Sequence, residues 1–168
     1  MDRAIALSII PAYLQSNYAQ NITRAEFCTV LAKTLSLKNR AAYSGFEPAT
    51  QPFTDTNDRD VLWLNSLEIV SGIGNNLFNP YGQITRQEAA VMLRRAAIAF
   101  GVSDIDVASQ FADQSEVASW AAEALGFVVA KGIMNGTGNN KFTPRGTYTR
   151  EQSYTTLVRL YDIFPANN

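Results

Sequence analysis

A threonine followed by an arginine opens an apolar helical stretch three times in this chain: "ITRAEF" (22–27), "ITRQE" (84–88) and "YTREQ" (148–152). Thr23, Thr85 and Thr149 stand 62 and 64 residues apart. A near-fixed period of this kind marks tandem units that bury their apolar faces against one another, and it constrains the fold before any single residue does. The second and third units align without a gap. "IVSGIGNNLFNPYGQITR" (69–86) lies over "IMNGTGNNKFTPRGTYTR" (133–150), so that Gly72, Gly74, Phe78, Pro80 and Arg86 fall on Gly136, Gly138, Phe142, Pro144 and Arg150.

Each unit reads as helix, turn, anchoring aromatic and second helix. Thr-x-x-Glu at a helix start is a capping box, fitted by Thr23/Glu26, Thr85/Glu88 and, with glutamine, Thr149/Gln152. The helices that follow show helical spacing: Phe27, Val30, Leu31, Leu35; Ala89, Met92, Leu93, Ala96, Phe100; Tyr154, Leu157, Val158, Tyr161. "GIGNN" and "GTGNN" predict tight turns with positive φ, and Phe78 and Phe142 are expected to plug the loops into the core. "FTD" (53–55) and "FAD" (111–113) open units two and three. Fourteen residues separate Asp55 from Ile69 but 20 separate Asp113 from Ile133, which predicts a first helix about six residues shorter in unit two and leaves Trp120 without a counterpart there. The expected organisation is a first repeat over 1–38, a linker over 39–52, a second repeat over 53–101, a linker over 102–110 and a third repeat over 111–164. The first repeat has neither the Phe-x-Asp opening nor the glycine loop. "MDRAIALSIIPAYL" reads as its amphipathic helix rather than a leader, since Asp2 offsets Arg3 and the apolar run stops at Pro11.

Several chemistries are excluded by residue type. With no histidine and a single cysteine, Cys28, there is no internal disulfide, no Cys/His zinc site and no histidine-assisted nucleophile. Cys28 is expected to be a buried small hydrophobe. A net charge of −1, without long runs of either sign, argues against a nucleic-acid surface. No stretch is apolar enough to span a bilayer. "DTNDRD" (55–60) fails the calcium-loop pattern, because Asp60 and Ser66 occupy the positions of the required glycine and glutamate. Asp55, Asp58, Asp60, Glu68 and Glu88 supply acids that a glycosidase could pair, but most sit where turns and caps already account for them. No enzyme, metal or cofactor is expected.

The arginines are the unexplained feature. Arg24, Arg86 and Arg150 occupy the first helical position, where the helix dipole disfavours a cation by roughly 0.3–1 kcal/mol. Two partners would offset that cost. One is a carboxylate of a neighbouring repeat, such as Asp55 or Asp113. The other is an external anion held beside free helix-terminal N–H groups.

These motifs, in this order, resemble the S-layer homology (SLH) domain family, whose pattern runs Phe-x-Asp, Trp, Gly-Ile, Phe-x-Pro, Ile-Thr-Arg-Ala-Glu. The resemblance implies a mostly α fold of three tandem helix–loop–helix repeats, pseudo-threefold around a central helical bundle, with grooves between neighbours. It further implies an extracellular module, part of a larger exported protein, that attaches non-covalently to secondary cell wall polysaccharide, often pyruvylated, in Gram-positive-type envelopes, with no nucleic acid and no membrane insertion. Carried over by position, the ligand contacts are Arg24, Arg86 and Arg150, the loop glycines Gly72, Gly74, Gly136 and Gly138, Trp120, and Asp55 and Asp113, the last two as residues that orient an arginine. The alternative is a scaffold whose arginines make internal ion pairs. The departures (no glycine loop in the first repeat, no matching tryptophan in the second, Thr-Arg-Glu-Gln in the third) imply grooves that are not equivalent.

Overall fold

A computed structural model describes residues 2–165. Among them the helices are α1 (Asp2–Ala6), α2 (Arg24–Ser36), α3 (Arg40–Ser44), α4 (Arg59–Ser66), α5 (Arg86–Ala99), α6 (Ala122–Ala130) and α7 (Arg150–Ile163), with 3₁₀ turns at Ala12–Leu14, Gln114–Glu116 and Ser119–Ala121. Extended backbone occurs, among the described residues, as isolated bridges. The regular structure of the described residues is thus helical, and the fold is of the mostly α class.

All three repeated phrases form capping boxes. Thr23, Thr85 and Thr149 accept from the amides of Glu26, Glu88 and Gln152, whose side chains accept in return from the threonine amides. Each cap stabilises its helix by about 1 kcal/mol. The apolar stripes of α2, α5 and α7 then find partners outside their own repeat. α4 packs on α2, α6 on α5, and α1 on α7. The first helix of each unit therefore covers the second helix of the preceding one, and the last contact closes the cycle. Phe27, Leu31, Leu93, Ala96, Tyr154 and Leu157 are fully buried in this core. Cys28 is buried with them, and that burial pushes its thiol pKa far up, which leaves it inert.

A ring of backbone hydrogen bonds joins the three helix starts. Ile22 N donates to Tyr148 O (2.8 Å), Tyr148 N to Ile84 O (3.2 Å) and Ile84 N to Ile22 O (3.4 Å). The next amides are also used. Arg24 N and Ala25 N donate to Gly82 O and Pro80 O, Arg86 N and Gln87 N to Gly146 O and Pro144 O, and Arg150 N and Glu151 N to Gln20 O and Tyr18 O. The first segment lacks the sequence motif, yet Tyr18 and Gln20 present the same carbonyls as Pro80 and Gly82. Asn17, Asn79 and Thr143 share a left-handed φ of 52°, 61° and 58° just before them. With the threonine holding the third amide, none of these three helix starts keeps a free N–H among its first three for an outside anion, contrary to that part of the sequence reading.

The turns form as expected. Asn75 and Asn76 (φ 50° and 55°), and Asn139 and Asn140 (φ 49° and 54°), bridge Gly74 to Leu77 and Gly138 to Lys141, as a type I′ turn requires. Phe78 and Phe142 are fully buried against Phe53 and Phe111. One expectation fails. α4 and α6 have 8 and 9 residues, so the extra length before Ile133 is not helix. It forms the two 3₁₀ turns that carry Trp120 outward. The segments read as linkers are also anchored. Tyr43 of α3 lies edge-on to Trp63 at 4.9 Å. A Cβ on Gly126 would stand 1.6 Å from Val107 O, so the 102–110 segment lies directly on α6.

Candidate functional site

Each repeated arginine reaches out of its own unit. Arg24 donates from Nε to Phe78 O (3.1 Å), from Nη2 to Ser71 O (3.2 Å) and from Nη1 to Glu88 Oε1 (2.9 Å). Arg150 donates from Nη1 to Ser16 O (3.2 Å) and from Nη2 to Glu26 Oε1 (2.6 Å). Arg86 donates from Nε to Phe142 O (2.8 Å) and from Nη2 to Asn135 O (2.7 Å). All three are nearly fully buried. Loop carbonyls thus offset the unfavourable dipole position at all three, joined at Arg24 and Arg150 by the neighbour's capping-box glutamate. The carboxylates concerned are Glu88 and Glu26, not Asp55 or Asp113.

Those two aspartates hold the loops instead. Asp55 accepts from the amides of Phe78 and Asn79 (2.8 Å each), and Asp113 from those of Phe142 and Thr143 (2.9 and 2.7 Å). The amide of Phe78 and then that of Asn79 hold the Asp55 pKa below the usual carboxylate range. At Asp113 burial works against the charge, but the two amides outweigh it and the pKa is again lowered.

Two grooves open beside the arginines. The first, of about 230 Å³, brings together Arg24, Gly72, Glu88, Arg95 and Trp120, which come from all three units. Trp120 is 59% exposed there, whereas Trp63 is buried, so the tryptophan matched by motif is a surface group and the unmatched one belongs to the core. The second, of about 390 Å³, holds Arg86, Gly136, Gln152 and Arg159 at the positions of Arg24, Gly72, Glu88 and Arg95, and is lined by Tyr148 and Glu151 as well. Gly72 and Gly136 are needed by the loop itself. A Cβ would meet Leu77 O at 2.6 Å and Lys141 O at 2.8 Å. Gly74 and Gly138 sit in the turns at φ 108° and 109°, outside the lining of both grooves.

Sequence reasoning passed over a second repeated cation. Lys33, Arg95 and Arg159 each follow a repeated arginine by nine residues, and this spacing was open to view. Arg95 donates to Ser71 Oγ at 3.2 Å in the first groove. It also borders a neighbouring cavity of about 530 Å³, which extends that groove along α5. Lys33 is turned away to the Tyr43 hydroxyl (2.8 Å), which in turn donates to Asp60 (2.5 Å).

The S-layer homology domain model matches residues 52–90 and 110–152, the two stretches that supply the loops and helix starts of both grooves. The chain belongs to the S-layer homology domain family. Its relatives include an amylopullulanase of Thermoanaerobacterium thermosulfurigenes, 28% identical over 92% of this chain and 8% of that protein. A surface-layer 125 kDa protein of Lysinibacillus sphaericus is 30% identical over 80% of the chain and 11% of its own length. A cellulosome-anchoring protein of Acetivibrio thermocellus is 26% identical over 88% and 33%. The SLH chain spans a third or less of each of these three proteins. What they share with it is a module common to chains with otherwise different names.

Proposed function

We propose that this chain is a non-catalytic anchoring module that acts outside the cell, at the wall or surface layer, by binding secondary cell wall polysaccharide in the grooves between its repeats. A carboxylate of the polymer, such as a pyruvyl ketal, is the group the cations would hold. The observation that carries this reading is the paired groove: at two junctions a repeated arginine, a loop glycine and a second arginine line one cavity. A sugar ring suits the exposed Trp120 face in the first groove, since an aromatic face offers apolar area to the C–H side of a pyranose. Relatives named as surface-layer and cellulosome-anchoring proteins support the location. The larger exported protein that carries the module, and its cargo, belong to this proposal as well.

A scaffold reading is favoured by one observation, the internal pairing of Arg24 with Glu88 and of Arg150 with Glu26. Pull-down with purified sacculi separates the two. Walls are offered intact, stripped of secondary polymer, and carrying polymer without pyruvate. Retention on the intact, pyruvylated walls alone is expected. Equal retention on all three, or on none, overturns the anchoring role.

A further inference from the structure

The first groove does not end at Arg95. Ser71 and Arg95 line both it and the neighbouring cavity of about 530 Å³, so the two make one trough. Along α5 the trough runs from Glu88 to Ala99, eleven residues, which is about 16 Å at the helical rise. That is room for more than the one ring that Trp120 can face. The groove is built by three units, whereas the cavity lies within the second, between the end of α4 and the last turns of α5. The counterparts of its lining differ elsewhere. Lys131, Gly132 and Asp162 stand in the third unit at the positions of Leu67, Glu68 and Ile98, and Asp162 is held by Arg3 of α1 at 2.6 Å. In the first unit Ser36 stands at the position of Ile98.

The cavity combines two kinds of chemistry. Leu67 and Ile98 are aliphatic side chains left 37% and 39% exposed. Glu68 and Arg95 set an acceptor and donors beside them, and their opposite charges leave no net charge for a ligand to neutralise. Glu68 is held at φ 58° where Gly132 makes the same turn at 68°. Strain of this kind collects at ligand sites, and here the strained residue lines the cavity. We infer that this cavity is a second polymer subsite, which takes an uncharged N-acylated sugar adjoining the one held at Trp120. The acyl methyl covers Leu67 and Ile98, and the amide N–H donates to the Glu68 carboxylate. The amide carbonyl accepts from Arg95, whose Nη1 is fixed on Ser71 Oγ. The inference rests on the polysaccharide reading and extends it beyond the groove.

The probe is secondary polymer released from purified sacculi and fractionated by length, titrated calorimetrically into the full chain. Affinity should rise from the shortest fraction to those long enough to fill the trough. Leu67→Lys with Ile98→Asp gives the second unit the residues of the third at exposed positions, so the fold is retained. The pair should leave the shortest fraction unaffected and weaken the longer ones about tenfold, the scale for covering two part-exposed aliphatic side chains. Glu68→Gly, which relieves the left-handed turn, should weaken the same longer fractions about tenfold through the lost charged acceptor. Affinity independent of length, or a length dependence that either variant leaves intact, overturns the inference while the anchoring role stands. If no fraction binds at any length, the anchoring reading falls and this subsite with it.

Discussion

Arg150 Nη2 lies 2.6 Å from Glu26 Oε1 and joins the start of the last long helix to the start of the first across 124 residues of chain. The guanidinium side chain is 8% exposed and its Nε has no partner among the described residues, because the first segment offers Ser16 where the other units offer Phe78 and Phe142. The closure of the ring therefore depends on this pair more than on its counterpart at Arg24, which has three partners.

Glu26→Gln should lower stability by about 3 kcal/mol, the scale for leaving a buried charge unpaired. Urea denaturation checks it. Gln152→Glu should move in the opposite direction. A Glu26→Gln protein as stable as the parent would mean that water already satisfies Arg150.

Asp113→Asn should cost about 1–3 kcal/mol, since one of the buried amides of Phe142 and Thr143 would face an NH₂ group. The pH dependence has a definite sign. Folded-state pKa values lowered at Asp55 and Asp113 contribute stability that is present above the ordinary carboxylate pKa and lost as pH falls through the lowered values. Replacing both by Asn should flatten the acid limb of the stability curve measured by thermal melts.

Glu68 ends α4 at φ 58°, where Gly132 ends α6 at φ 68°. Side chains with a Cβ are strained in that region. Glu68→Gly should therefore stabilise the protein, by up to about 1 kcal/mol once the added freedom of the unfolded chain is counted. A loss of stability in chemical denaturation would show that the Glu68 side chain contributes more than its backbone strain removes.

The two tryptophans should separate cleanly. Trp63→Ala empties a core site and should cost about 3–5 kcal/mol. Trp120→Ala should change stability by no more than about 0.5 kcal/mol, as exposed positions do, yet weaken retention on cell wall sacculi. Equal wall binding by Trp120→Ala would remove that side chain from the ligand site.

Gly126→Ala should release the 102–110 segment, because the methyl group and Val107 O cannot share the same space. Limited proteolysis within 102–110 should then run faster than in the parent.

What the sequence by itself determined was local. Capping boxes, the Asn-Asn turns and the apolar stripes of α2, α5 and α7 depend on residues within a few positions of one another, so spacing suffices to read them. The paired cation at Arg95 and Arg159 was also readable, because it follows the repeat. The tertiary structure decided the rest, since cyclic closure brings together groups whose separation in sequence carries no signal. Only it shows that Glu88 and Glu26 neutralise Arg24 and Arg150, that Asp55 and Asp113 bind loop amides, and that Trp120 faces solvent in a groove built by three units. Glu88 and Gln152 serve the same cap, and a cap does not distinguish them. Placed against a buried guanidinium from another unit, one carries the counter-charge and the other does not.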